Sequence, residues 1–309
     1  MKEILIIGFG ASSLNLKALL SGAFTHKTKF HFLDSLDPHF VSKILQRIKL
    51  ENCITYIISK SGSTFETNIL AKIILEMGAK NLRILCGNKN SELAEIVSSF
   101  DHEWIDFEGS KSGRFSLLSK PFLDIAQIAG IDIGKLEQGA KSFDSSLASK
   151  TAQSWIKHFK EGRRNWVIML YSKQLYGLYM WIRQIISESI GKNGFGIMPF
   201  LCEGSMDEHS QLQLFLDGPK DKFYEVVYCD YPDEPGILSE SQRFRAEKVI
   251  SMLQEKNLPT ESLYLEEVDE FIIGQKIAFY LELVRIIGEE MGFDPYNQPA
   301  VESTKKRHQ

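Results

Sequence analysis

Residues 54–77 read ITYIISKSGSTFETNILAKIILEM. Ile54–Ser59 is a short β-branched run, which predicts a buried strand. Ser59-Lys60-Ser61-Gly62-Ser63-Thr64 is a polar turn, and Phe65–Met77 continues with helical periodicity. Strand, turn and helix in one stretch make half of a βαβ unit. The same alternation extends outward in both directions. Glu3–Gly8 and Phe30–Leu33 read as strands before it, with a helix from His39 to Leu50. Leu82–Cys86 and Glu103–Phe107 read as strands after it, with a short helix at Glu92–Ser98. Crossovers between parallel strands are right-handed, which sets helices on both faces of such a sheet.

A second cycle begins at Trp166–Tyr171 (WVIMLY). It continues with a long helix over Lys173–Ile190, a strand at Phe223–Cys229, and a helix over Glu240–Lys256 with Ser239 as its N-cap. A strand at Leu263–Leu265 and a long helix over Asp269–Met291 complete it. Gly134–Gly162 is helical in pattern, polar on one side, and reads as a connection. The chain therefore divides into a first domain over residues 1–135, a helical connection over 136–164, a second domain over 165–292 and a C-terminal segment over 293–309. A length of 309 residues agrees with two domains. The fold class is α/β, with a parallel sheet in each domain.

Lys and Arg number 36 against 40 Asp and Glu, a net charge of -4. No general field therefore draws nucleic acid or an anionic membrane. Cys53, Cys86, Cys202 and Cys229 are scattered and form no C-x-x-C pair. That argues against a disulfide framework or a zinc site and suits a reducing compartment. No apolar run approaches the ~18 residues of a membrane span, and the N-terminal run stops at Gly8, too short for a secretory segment. The expectation is a soluble, cytoplasmic protein that uses neither a metal nor an organic cofactor.

Several polar stretches could carry chemistry, and each also has a structural reading. The 59–64 turn sets hydroxyls and a lysine at a helix N-terminus, where unpaired N–H groups and the helix dipole favour an anion such as phosphate. Ser and Thr also cap helices routinely, so a plain N-cap with a polar turn fits equally well. Gly8-Phe9-Gly10-Ala11-Ser12 allows close backbone approach, but Ser13 stands where G-x-G-x-x-G needs glycine, so the dinucleotide fingerprint fails. Gln184 and Glu188 share a helix face that Gly191 ends. Glu188 is a candidate general base, or a solvated helix-end carboxylate. His209 and Arg114 lie in polar loops, where they could serve as acid/base and as anion stabiliser, or simply meet water.

Taken together and in order, these segments resemble the glucose-6-phosphate isomerase family, also called phosphoglucose isomerase. SGRFSLLS (112–119) is similar to the family signature built on G-G-R-[FY]-S, and NQPAVESTK (297–305) to that built on Q-x-G-V-E-x-x-K. ESIGK (188–192) and EHS (208–210) resemble E-S-x-G-K and Q-H-S. SKSGSTFET (59–67) resembles the S-K-T-x-T-T-x-E-T phosphate loop, and IGFGASSL (7–14) the I-G-I-G-G-S-x-L opening. The resemblance runs from Ile7 to Lys305.

It implies two sugar-isomerase (SIS-type) domains, each a three-layer αβα sandwich. The expected activity interconverts glucose 6-phosphate and fructose 6-phosphate through a cis-enediol(ate). It also implies a homodimer with shared active sites, in which the histidine of one subunit completes the site of the other. By the match, Glu188 is the base, Arg114 stabilises charge on the intermediate, and His209 and Lys305 open the sugar ring. Ser59, Ser61 and Thr64 hold the phosphate with Lys60 in the same loop, while Ser12, Gln184 and Gln298 make further phosphate contacts. Gly10 and Glu66 fall in matched motifs without a firm role.

Four positions depart from the family pattern: Ala11 and Ser112 replace glycines, Ala300 replaces another, and Glu208 replaces glutamine. Glu208 places a carboxylate next to His209, a charge that would favour the protonated imidazole. The chain begins almost at the first motif and ends soon after Lys305, without the helical extensions usual at both ends. A sugar-phosphate sensor would need the phosphate loop but not Glu188, Arg114, His209 and Lys305 together. A bifunctional isomerase that also accepts mannose 6-phosphate would share the fold but not this pair of signatures.

Overall fold

The computed structural model describes residues 2–23, 26–107 and 112–302, which divide into two compact units. The first comprises residues 1–20, 25–133 and 298–309, and the second 21–24 and 134–297.

In the first unit, β1 (Lys2–Ile7), α1 (Ala11–Leu20), β2 (Thr28–Leu33), α2 (Pro38–Leu45), β3 (Ile54–Ile58), α3 (Phe65–Glu76), β4 (Asn81–Cys86), α4 (Glu92–Val97), β5 (His102–Asp106) and α5 (Lys120–Ala129) follow in order. The sheet runs β2-β1-β3-β4-β5 and is wholly parallel. One face packs Leu5, Ile7, Ile57 and Ile84 against Leu70, Ile74 and Leu75 of α3 and Leu93 and Val97 of α4. Helices α1 and α5 pair on the other. Strands covered on both faces need apolar residues at successive positions, hence the run of buried residues Ile4–Ile7.

The second unit contains α6 (Ile133–Lys141), α7 (Ser145–Lys160), β6 (Asn165–Leu170), α8 (Tyr176–Ile190), β7 (Met198–Glu203), α9 (Gly204–Asp207), α10 (Leu212–Asp217), β8 (Lys222–Cys229), α11 (Ile237–Glu255), β9 (Thr260–Leu265) and α12 (Glu270–Met291). Its sheet runs β7-β6-β8-β9, again parallel. Helices α7 and α8 pack with α12. On the other face, Val167, Met169, Tyr224 and Val226 pack against Ala246, Val249 and Leu253 of α11. A last helix, α13 (Pro299–Glu302), lies in the segment grouped with the first unit.

Both units are thus three-layer α/β sandwiches, as the resemblance implies. Several local readings change. Strand β7 escapes the sequence because it is a half-exposed edge strand containing Pro199, with Met198 65% exposed. Helix α11 starts at Ile237 behind Gly236, at φ 124°, so Ser239 lies inside it and is not its N-cap. The helix read over His39–Leu50 stops at Leu45, and Leu50–Asn52 forms a 3-10 turn. The stretch read as a connection, Gly134–Gly162, is packed into the second unit. There a Cβ on Gly139 would lie 1.9 Å from the Phe271 carbonyl oxygen, and one on Gly274 1.9 Å from that of Leu136. Only glycine allows α6 and α12 to approach so closely.

The four cysteines are free and buried. Among the described residues no helix is long and apolar enough to cross a membrane, and no group of three or more His, Cys, Asp or Glu is placed to hold a metal.

His158 on α7 stacks on Phe223, with ring centroids 4.4 Å apart, and its Nδ1 accepts a hydrogen bond from Arg163 Nε at 2.8 Å. Burial first, then Arg163 and Lys157, lower its pKa from 6.5 to about 4. Below pH 6.5 the unfolded chain takes up the proton before the folded one, so this contribution is lost as pH falls from 6.5 toward 4. The denaturant midpoint of the wild type should therefore drop more steeply across that window than that of His158→Phe. Parallel curves would show that His158 does not couple pH to stability.

Candidate active site

In a parallel sheet of order 2-1-3-4-5, ligands bind beyond the carboxyl ends of the strands where the order reverses, between β1 and β3. The loops at that point are Gly8–Gly10 and Ser59–Thr64. They can lie together because residue 8 is glycine: a Cβ there would meet the Ile58 carbonyl oxygen at 3.0 Å and Ser12 Cβ at 2.6 Å. Gly10, at φ 57°, then turns the chain into α1, where Ser12 is half-buried in the first turn.

The 59–64 loop is tightly specified. Ser59 is buried, its N–H donates to the Leu85 carbonyl at 3.0 Å, and its Oγ lies 3.0 Å from Thr64 Oγ1. The Gly62 N–H donates to Ser59 Oγ at 3.1 Å. Gly62 has φ 69°, and a Cβ on it would stand 2.0 Å from Ser91 Oγ, so only glycine fits. Asn68 Nδ2 donates to the Gly62 carbonyl at 3.3 Å. Ser61 Oγ accepts from the Ser63 N–H at 3.2 Å and lies at the surface. Thr64 occupies the N-cap position of α3 but makes no side-chain cap bond. Its hydroxyl is engaged with Ser59, so no side chain of the cap residue covers the first-turn N–H groups. Burial lowers the pKa of Lys60 below the ordinary lysine value. Glu66 sits half-buried in the first turn of α3, where a carboxylate is favoured by the helix dipole.

Arg114 is only 2% exposed. It lies in a 3-10 turn over Gly113–Phe115 that is tied to α1: Asn15 Nδ2 donates to the Gly113 carbonyl and to Ser116 Oγ, each at 3.1 Å. A Cβ on Gly113 would sit 3.5 Å from that of Ala11. The loops carrying Gly10, Ser12 and Arg114 are therefore neighbours, and the alanine at position 11 is accommodated beside a glycine. Gln298 is half-buried at the start of the segment grouped with this unit, its carbonyl accepting from the Val301 N–H at 3.2 Å.

In the second unit, Gln184 Nε2 donates to Glu188 Oε1 at 2.8 Å, one turn apart on a half-buried face of α8. Gln184 Oε1 is buried without a hydrogen-bond partner. Gly191 closes the helix, and Lys192 Nζ donates to the carbonyls of Ser189 at 3.0 Å and Asp294 at 2.7 Å.

His209 is exposed in the loop after α9. The structure does not bring it to Glu188 within this unit. Helix α8 connects the carboxyl end of β6 to the amino end of the parallel β7, so Glu188 lies at the amino edge of the sheet and His209 beyond its carboxyl edge. The six residues of β7 separate those edges by roughly 20 Å at ~3.3 Å per residue. Glu208 is buried, with its carboxylate committed to Tyr171 and Arg245, so the charge that sequence sets beside His209 is countered by a guanidinium. Lys305 lies outside the described residues. Sequence reading missed Asn15, Asn68, Ser91, Tyr171 and Arg245, which hold the site segments in place. A polar residue inside an apolar helix face, such as Asn15, was the one available signal.

A family model described as phosphoglucose isomerase matches residues 1–194. The chain is 30% identical to the probable glucose-6-phosphate isomerase of Methanococcus maripaludis, over 99% of this chain and 77% of that protein. It is 29% identical to the glucose-6-phosphate isomerase of Methanocaldococcus jannaschii, over 99% and 83%. Its fold matches the crystal structure of a hypothetical protein from Thermus thermophilus with a TM-score of 0.85, at 26% identity over 99% of this chain and 82% of that one. The matched residues hold the 59–64 loop, Arg114 and Glu188 alike, and the chain belongs to the phosphoglucose isomerase family.

Proposed function

We propose that the chain interconverts glucose 6-phosphate and fructose 6-phosphate. The observation that carries this reading lies at the carboxyl edge beyond β1 and β3, where Gly8 packs against Ile58 just before the 59–64 loop and Asn15 of α1 fastens the turn that holds the buried Arg114. Ser59, Ser61, Thr64 and the N-terminus of α3 take the phosphate, with Lys60 in the same loop and Ser12, Gln184 and Gln298 as further contacts. Glu188 removes the proton from C2 of the open sugar and returns it to C1, and the reverse reaction exchanges these roles. Arg114 stabilises the oxyanion of the enediolate; a guanidinium held in a dry setting needs little reorganisation when that charge develops. His209 and Lys305 assist ring opening. Gly10 and Glu66 shape the loops around the phosphate. No step calls for a metal or an organic cofactor.

The separation of Glu188 from His209 supports a homodimer in which each histidine serves the partner's site. Met198, Phe200, Met206 and Leu214, 44–66% exposed on β7, α9 and α10, are exposed apolar side chains on the stretch of chain that carries the histidine. The near balance of charge leaves nucleic acid out of the partner list, and buried free thiols suit the cytoplasm.

Ser59→Ala/Thr64→Ala should weaken competition by inorganic phosphate and binding of 6-phosphogluconate by about ten- to a hundredfold, the scale of one lost hydrogen bond to a charged group. Unchanged binding would put the phosphate elsewhere. Glu188→Gln keeps the size and the bond to Gln184 but cannot accept a proton. Turnover should fall ~10²–10⁴-fold with little change in analogue binding, and exchange of the C2 hydrogen with solvent should vanish. Near-normal turnover would return the chain to a sensor or a different base.

Subunit sharing has its own test. Glu188→Gln and His209→Ala proteins, each with strongly reduced turnover, are dissociated together and re-associated. Random pairing makes about half the dimers mixed, each with one intact site, so about a quarter of wild-type activity should return. No recovery, with mixed dimers present, would mean that both groups act from one subunit.

A further inference from the structure

Glu208 immediately precedes His209, and its side chain is 2% exposed. Tyr171, the first residue after β6, donates its hydroxyl to Glu208 Oε1 at 2.6 Å. Arg245 on α11 is paired with the other carboxylate oxygen from the solvent side. Tyr171 is itself immobilised: Gln242 Nε2, one turn before Arg245, donates to its carbonyl at 2.7 Å, and Gly204 packs so closely that a Cβ there would lie 2.6 Å from the ring. The rest of the loop is short and locally tied, with Asp207 accepting from the Glu203 N–H at 2.8 Å and from Ser210 Oγ at 2.7 Å. An apolar contact could anchor this loop without taking a carboxylate out of water. A buried ion pair with a tyrosine hydroxyl fixes direction as well as depth.

We propose that Glu208, clamped between Tyr171 and Arg245, is the positioning residue that sets His209 for ring opening. The proposal rests on the role given to His209 above. The clamp joins the end of β6, the loop after α9 and one face of α11, so the imidazole projects from a point held by three elements. Turnover, not substrate affinity, is what it controls.

The test is a double-mutant cycle on the full-length enzyme. Glu208→Ala should lower kcat roughly tenfold or more with KM within about twofold, and Glu208→Gln should restore most of the loss by keeping an acceptor for Tyr171. In a His209→Ala background the same Glu208→Ala change should alter turnover less than about twofold. Tyr171→Phe, which removes one hydroxyl, is run through the same cycle in case Glu208→Ala does not fold. Equal losses in both backgrounds, or no rescue by glutamine, overturn the positioning role while leaving His209 in place. Near-wild-type turnover of His209→Ala itself overturns the role of the histidine, and the clamp's with it.

Discussion

The close approach of two loops at the carboxyl edge of the first sheet governs everything built around it. Strand order reverses between β1 and β3, so the chain leaves those strands in opposite directions and a crevice opens between them. The crevice can be narrow because Gly8 presents only hydrogen to the Ile58 carbonyl. With a larger residue there, the turn into α1 would move away from the 59–64 loop, carrying Ser12 and the Asn15 tether of the Arg114 turn with it. A single missing methyl thus sets how closely the turn into α1 approaches the end of β3.

Buried polar groups do the remaining work of placement, and they are kept in small, well-bonded sets. Gly62 is held by Ser59, Asn68 and the wall of Ser91, so the turn is rigid, with Ser61 and Ser63 at its surface and the Ser59 hydroxyl turned inward. Arg114 is 2% exposed in a turn that Asn15 and Ser116 fasten. Glu208 is paired on both oxygens. A charge out of water is costly unless hydrogen bonds and countercharge surround it.

Division of labour between the units follows from their topologies. In the first, strand order reverses between β1 and β3 at the carboxyl edge. In the second, the residues beyond β6 turn inward: Tyr171 and Glu208 bond each other, and Gln242 bonds the Tyr171 carbonyl. Glu188 and His209 sit instead at the end of α8 and in the loop after α9, on opposite edges of one sheet.

Much of this was legible from sequence because it is local. ITYIIS reads as a strand since a parallel strand buried on both faces must be apolar at successive positions, and SKSGST precedes a helix whatever surrounds it. Glu188 and Gln184 are neighbours by helical spacing alone. Strand β7 was not legible, because an edge strand with Pro199 and two exposed apolar residues has neither the run nor the clean alternation of a core strand. Whether the Thr64 hydroxyl caps its own helix or bonds Ser59 was not legible either, since both partners lie within a few residues. Nor were the pairings of Asn15 with Gly113, 98 residues apart, or Tyr171 with Glu208, 37 apart. Periodicity and helix ends are set by interactions within a few residues, so the sequence by itself determined the α/β alternation and the types of the site residues. Which polar groups meet, and which edge of a sheet each occupies, depends on packing between distant segments, and only the tertiary structure decided that.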